Sequence, residues 1–155
     1  MTRAATAHHE AGHAVVAVLF SFNVEYATIR PNGITVGHVK CWPRGRLDLD
    51  SGTPVMTRKM EQLVTVILAG DIAQRIYSPR SSRTWQTTSD RSAATDIALA
   101  KCGSSESATA FISWRTIVAR DIVKGRWPII CKVAAALLDR ETLSGDELRQ
   151  IIFSR

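Results

Sequence analysis

The stretch AHHEAGHAVVAVLF, residues 7–20, decides how the rest of the chain is read. Within it His9, Glu10 and His13 have the spacing H-E-x-x-H. Residues four apart lie one turn apart on one face of a helix, so His9 and His13 can turn their rings to one metal ion. Glu10 sits beside them, within reach of a water on that metal but badly placed as a ligand. Zinc held this way lowers the pKa of its water towards ~7 and polarises a carbonyl. Glu10 would then take the water's proton and pass it to a leaving amine, the hydrolytic arrangement of metalloproteases. A surface-facing histidine pair beside an apolar stripe is the competing account of the same residues. His8 points roughly 100° away from His9 around the helix and is read as a bystander. Gly12 inside a helix costs about 1 kcal/mol against Ala, so with Ala11 and Ala14 it points to another element packed close.

Outward from this stretch, Thr2 is a candidate cap for a helix running to about residue 22. The next segment, VEYATIRPNGITVGHVKCW, predicts two strands around a turn at Pro31-Asn32-Gly33, the second extended run covering residues 34–42. Residues 55–77 predict a long helix, with Met56, Met60, Leu63, Val64, Ile67, Leu68 and Ile72 at helical spacing in a stripe broad enough for the core. Further helices are expected at about 89–101, 106–124 and 128–140, with Gly125 and Pro128 separating the last two. Thr142 and Ser144 are candidate caps for a short final helix ending near residue 153. The expected fold is mainly α with one small β-strand pair.

The 155 residues suit one domain, 1–155, with a real core. Cys41, Cys102 and Cys131 are odd in number and form no C-x-x-C pair, which argues for reduced thiols rather than a disulfide framework or a cysteine zinc site. The net charge of +6 is carried by basic residues in scattered pairs such as Arg44/Arg46 and Arg80/Arg83. That distribution favours a solvated surface over a nucleic-acid interface. No apolar run is long enough to span a membrane, and the N-terminus makes a poor signal peptide. A cytoplasmic protein is expected.

A working zinc site needs a third protein ligand. A third histidine at the metzincin offset is excluded, because Val16 and Leu19 stand at the Gly and His positions of that pattern. A carboxylate from a later helix is the other solution, and Glu61, Asp71, Asp90 and Asp96 are the candidates. Asp90 is preferred locally. It is expected at the start of a helix, after Thr87, Thr88 and Ser89, and Ala93 and Ala94 behind it would permit close approach to Ala11 and Gly12. An ordinary N-terminal helix acid, stabilised by the helix dipole, accounts for Asp90 at least as well, so the residues alone leave the ligand open.

Five segments, in order and covering essentially the whole chain, resemble the peptidase domain of the FtsH family, the M41 zinc metallopeptidases. HHEAGHAVVAVL resembles the family's HEAGHA motif, and ATIRPNGITVGHV its strand pair. VILAGDIAQRIY is similar to the segment usually written LLGGRAAEE. TTSDRSAATDIALA resembles TTGAxNDLxxAT, and ALLDRETLSGDELRQII resembles ALLExETLxGEE. The resemblance implies a helical zincin-type fold with a small β-sheet near the active site. It implies Zn2+ as cofactor, His9, His13 and Asp90 as ligands, and Glu10 as the catalytic base. It also implies that the strand around residues 34–40 is an exposed edge, with Ile34, Val36, Gly37 and His38 placed to bind a polypeptide substrate as an added strand. A solvated strand histidine is the plainer account of His38.

The chain departs from that family in three respects. It has no G-x-x-x-x-G-K-[ST] loop for ATP and no membrane anchor, so a stand-alone peptidase is expected, with any ATPase or unfoldase a separate partner. A homo-oligomer remains open without the ATPase contacts. In the LLGGRAAEE-like segment, Asp71 stands for the Arg, and Gln74 and Arg75 stand for the two Glu, which weakens any support those carboxylates give the metal ligands. The leading expectation is a zinc-dependent endopeptidase acting on flexible or unfolded polypeptides. The alternatives are a non-catalytic peptide-binding or adaptor module that keeps fold and zinc, and, more weakly, a basic nucleic-acid-associated protein. The intact Glu10 favours catalysis.

Overall fold

A computed structural model describes residues 2–33, 35–80 and 85–154, with the backbone alone for 85–87. The elements run in the order α1 (Arg3–Leu19), β1 (Asn23–Thr28), β2 (His38–Trp42), α2 (Pro54–Tyr77), α3 (Trp85–Lys101), α4 (Ser105–Gly125), α5 (Trp127–Arg140), β3 (Thr142–Ser144) and α6 (Gly145–Phe153). The mainly α expectation with a small sheet holds.

The Thr2 hydroxyl caps α1 by accepting from the Ala5 N–H at 3.2 Å. Nearly every residue of the helix from Ala5 to Val18 is buried, so α1 is walled on all sides rather than amphipathic. It stops at Leu19, three residues short of the sequence expectation. Ser21 turns the chain in the left-handed region (φ +59°), and the Phe22 N–H bonds the Ala17 carbonyl at 2.9 Å. One core cluster gathers α1 with Ile130, Val133 and Leu137 of α5, Leu143 of β3, and Leu148 and Ile152 of α6. A second lies between α2, α3 and α4, around Val64, Leu68, Ala94, Ala98 and Phe111. Helix α2 serves both, since its Val66, Ala69 and Ala73 face the first cluster. Buried Arg115 of α4 reinforces the second by donating from Nε and Nη2 to Thr65 Oγ1 at 2.9 and 2.6 Å.

Gly12 has the packing reason its cost demanded, although the neighbour differs from the expected one. A Cβ there would meet the Ala69 carbonyl oxygen and the Ala73 Cβ, each at 2.7 Å, so α2 lies directly on α1. Ala94 packs in the second cluster and Ala93 is exposed; neither is what Gly12 makes room for.

The sheet has three strands in the order β2-β1-β3, all neighbours antiparallel. The expected pair forms, with Asn23 opposite Trp42 and Thr28 opposite His38, and its register slips at a bulge between Val24 and Tyr26. The regular ladder of the second strand begins at His38, later than the predicted run; before it Asn32 and Thr35 form an isolated bridge. The third strand was not expected. Residues 142–144, read as helix caps, pair with β1, and Ser144 does both jobs by also accepting the Glu147 N–H that opens α6. Among the described residues no helix is long and apolar enough to cross a membrane.

Candidate metal centre

Two elements bring three ligand atoms together. Helix α1 supplies His9 and His13 from adjacent turns, and α3 supplies Asp90. The two Nε2 atoms lie 3.0 Å apart, and Asp90 Oδ2 lies 3.0 Å from that of His9 and 3.3 Å from that of His13. All three donor atoms fall within 4.8 Å of one another.

The far side of each ring fixes what the near side offers. His13 Nδ1 lies 2.8 Å from the Val66 carbonyl, which can only accept, so Nδ1 carries the hydrogen. His9 Nδ1 donates in the same way to Gln74 Oε1 at 3.1 Å. Both neutral rings therefore aim an Nε2 lone pair at the same point as the Asp90 carboxylate. Three acceptors converge with no donor among them, and this arrangement calls for a cation. Without a metal the cation is a proton. Burial pushes the His13 imidazole down, but the charge and hydrogen bond of Asp90 outweigh it, with Glu10 and the Val66 carbonyl adding, and raise it to about 9. Burial acts on Asp90 in the opposite sense, and the two histidines overcome it, holding the carboxyl well below the usual range. Two neutral imidazoles and a carboxylate suit zinc, and the centre fits a zinc ion held by His9, His13 and Asp90.

The ordinary explanation of Asp90 does not survive. Helix α3 begins at Trp85, earlier than expected, so Asp90 lies beyond the first turn, where the dipole and free N–H groups act. The other candidate acids are occupied elsewhere or exposed. Asp71 pairs with Arg75 at 3.0 Å, Glu61 faces Arg115, and Asp96 is exposed.

Glu10 is 2% exposed and lines, with the three ligands, a cleft of about 290 Å³. The opposite wall runs from Thr35 through Gly37, His38 and Val39 to Cys41, and Leu63, Val66 and Ile67 of α2 form an apolar side. The β2 edge thus lies beside the metal ligands. His38 is exposed and edge-on to Tyr26 at 6.0 Å. Val36 is exposed just before the strand, and Ile34 lies outside the described residues.

Several supporting groups carried no clear sequence signal. Gln74, noted only as a lost carboxylate, still holds His9, now through a neutral amide. The Val66 carbonyl is backbone and leaves no mark in the side-chain pattern. Gly70 gives His13 its space, since a Cβ there would fall on the imidazole ring. His8 stands outside the metal cluster, as expected, but it is packed in place: it is 7% exposed, stacks on Tyr77 with centroids 3.8 Å apart, and donates from Nδ1 to the Ala4 carbonyl at 2.8 Å.

An H-E-x-x-H helix joined by a carboxylate from a separate helix defines a zincin-type metal centre. The comparisons narrow the class. The family model for peptidase family M41 matches residues 1–111, and the chain belongs to that family. It is 25% identical to the ATP-dependent zinc metalloprotease FTSH 9, chloroplastic/mitochondrial, of Oryza sativa subsp. japonica, over 95% of this chain and 21% of that protein. It is 34% identical to the ATP-dependent zinc metalloprotease FtsH of Caulobacter vibrioides, over 60% of this chain and 14% of that protein. It is 32% identical to the ATP-dependent zinc metalloprotease FTSH 11, chloroplastic/mitochondrial, of Arabidopsis thaliana, over 65% of this chain and 12% of that protein. The chain spans about a fifth or less of the length of these relatives.

Proposed function

We propose that residues 1–155 form one peptidase domain that hydrolyses peptide bonds in flexible or unfolded polypeptides with zinc as cofactor. The observation that carries this reading is the placement of Glu10 in the same cleft as the converging His9, His13 and Asp90 atoms. Zinc, when bound, supplies Lewis-acid polarisation of the scissile carbonyl and acidifies the attacking water. His9, His13 and Asp90 would hold it. Glu10 takes the proton of the attacking water and returns it to the leaving amine, so one carboxylate serves as base and then as acid.

Substrate binding is assigned to the β2 edge and the residues leading into it, Val36, Gly37 and His38, with Ile34 just before them. An added strand would be held through main-chain hydrogen bonds and read loosely in sequence. The relatives are named ATP-dependent, whereas these 155 residues hold no phosphate-binding loop. Unfolding is therefore assigned to an ATPase module outside these residues. The free thiols Cys41, Cys102 and Cys131 accord with a reducing compartment, and the cytoplasm is the location proposed.

Metal analysis combined with digestion of a labelled, denatured polypeptide tests the reading. Wild-type protein should carry one zinc per chain and degrade the polypeptide. Glu10→Gln should keep the zinc and lose at least about 10²-fold in rate. Full zinc in a wild-type protein that does not hydrolyse would instead assign a peptide-binding module of the same fold.

A further inference from the structure

Gly37 is a glycine for a reason other than its backbone. Its φ lies outside the left-handed region, which among the described glycines holds only Gly33 and Gly45. What position 37 excludes is a side chain. A Cβ built there would lie 2.5 Å from Glu10 Oε1, 2.8 Å from its Cγ and 2.9 Å from its Cδ, so the three nearest atoms all belong to one residue. Gly37 is itself buried and Glu10 is 2% exposed, so the carboxylate can give way to a new methyl only by turning further into the cleft. The next residue, His38, opens the edge strand.

We infer that Gly37 is a positioning residue for Glu10: its bare backbone is seated against the carboxylate and its stem, and so sets the direction in which the carboxylate faces the cleft. The contact also couples two parts of the site that the chain order keeps apart. The segment entering β2, on which a polypeptide would pair, rests directly on the group that moves the proton. The catalytic half of this inference rests on Glu10 being the base; the packing half does not.

A double-mutant cycle separates the two. Melting temperatures are measured for wild type, Gly37→Ala, Glu10→Ala and the double variant, all zinc-loaded. Gly37→Ala should lower the melting temperature by several degrees in the wild-type background. In the Glu10→Ala background it should lower it by nothing, or raise it slightly because alanine narrows the unfolded ensemble. The three atoms nearest the new methyl all leave with the glutamate side chain. If Gly37→Ala does not fold, recovery of a folded double variant reports the same coupling. An equal loss in both backgrounds overturns the inference, as does a double variant that also fails to fold.

Steady-state digestion of the labelled polypeptide gives the second readout. Gly37→Ala should lower kcat by about 10²-fold, the scale of a small misplacement of a reacting group, with KM and zinc content retained. A rise in KM at unchanged kcat would leave Gly37 with its peptide contact alone and overturn the positioning role. If wild-type protein does not hydrolyse at all, the functional reading fails while the thermal cycle still decides the packing.

Discussion

The metal ligands are set by what stands behind them. His9 leans on an amide where the related motif carries a carboxylate, and a neutral acceptor orients the ring while adding little basicity. Groups in this position typically contribute 10–100-fold to metal affinity. Gln74→Leu should therefore weaken zinc binding by about that factor in a competition titration with a chelating dye, without altering the metal stoichiometry at saturation. His13 gives a pH signature. Its folded pKa of about 9 exceeds the unfolded value of 6.5, so a proton on it stabilises the metal-free protein. That contribution is full below about pH 6.5 and is lost as pH rises towards 9. Melting of chelator-treated protein should fall across this window. Zinc takes the proton's place, so zinc-loaded protein should show a flatter profile, and its zinc should bind more tightly as pH rises. The spacing of His9, Glu10 and His13 was legible because helical periodicity converts sequence distance into direction. Gln74 and the Val66 carbonyl were not, because they reach the site through packing between helices, which has no local signal.

At the scale of elements, α1 delivers His9, Glu10 and His13, and α3 delivers one carboxylate to meet them. That meeting joins residues 81 positions apart in the chain. The helices themselves could be read from apolar spacing and from the breakers Gly125 and Pro128. The start of α3 could not, because a polar run of Ser, Arg and Thr shows no periodicity to mark the first turn. A helix beginning near residue 89 would put Asp90 where its dipole explains the carboxylate, whereas α3 begins at Trp85. Six residues into the helix, the dipole no longer explains the carboxylate, and among the described residues His9 and His13 are its partners. Asp90→Ala should accordingly cut zinc affinity by orders of magnitude, while Asp96→Ala, on the exposed side of α3, should leave it unchanged. Equal effects in a zinc titration would contradict the ligand set. Strand β3 was missed for a related reason: three residues between two helices carry too little alternation to register, and Ser144 gives a strong capping signal that hides its pairing with β1.

Across the whole molecule, α1 is packed from both directions along the chain. Helix α2 approaches it through Gly12, and the C-terminal third closes the other side through α5, β3 and α6. Ile130, Leu137, Leu143 and Leu148 there are fully buried, and truncating a residue of this kind to Ala costs about 2–5 kcal/mol. Glu141 fastens the same region to the start of the chain, its carboxylate accepting from Arg3 and Arg30 at 2.6 and 2.8 Å. The family model matches residues 1–111, which hold His9, Glu10, His13 and Asp90, although likeness to a relative runs over 95% of the chain. The folding unit does not stop at residue 111. A polypeptide ended at that boundary would carry the full inscription of a peptidase on a helix stripped of half its enclosure. For this protein, the segment that holds the metal cluster and the segment that completes its enclosure are different stretches of the same chain.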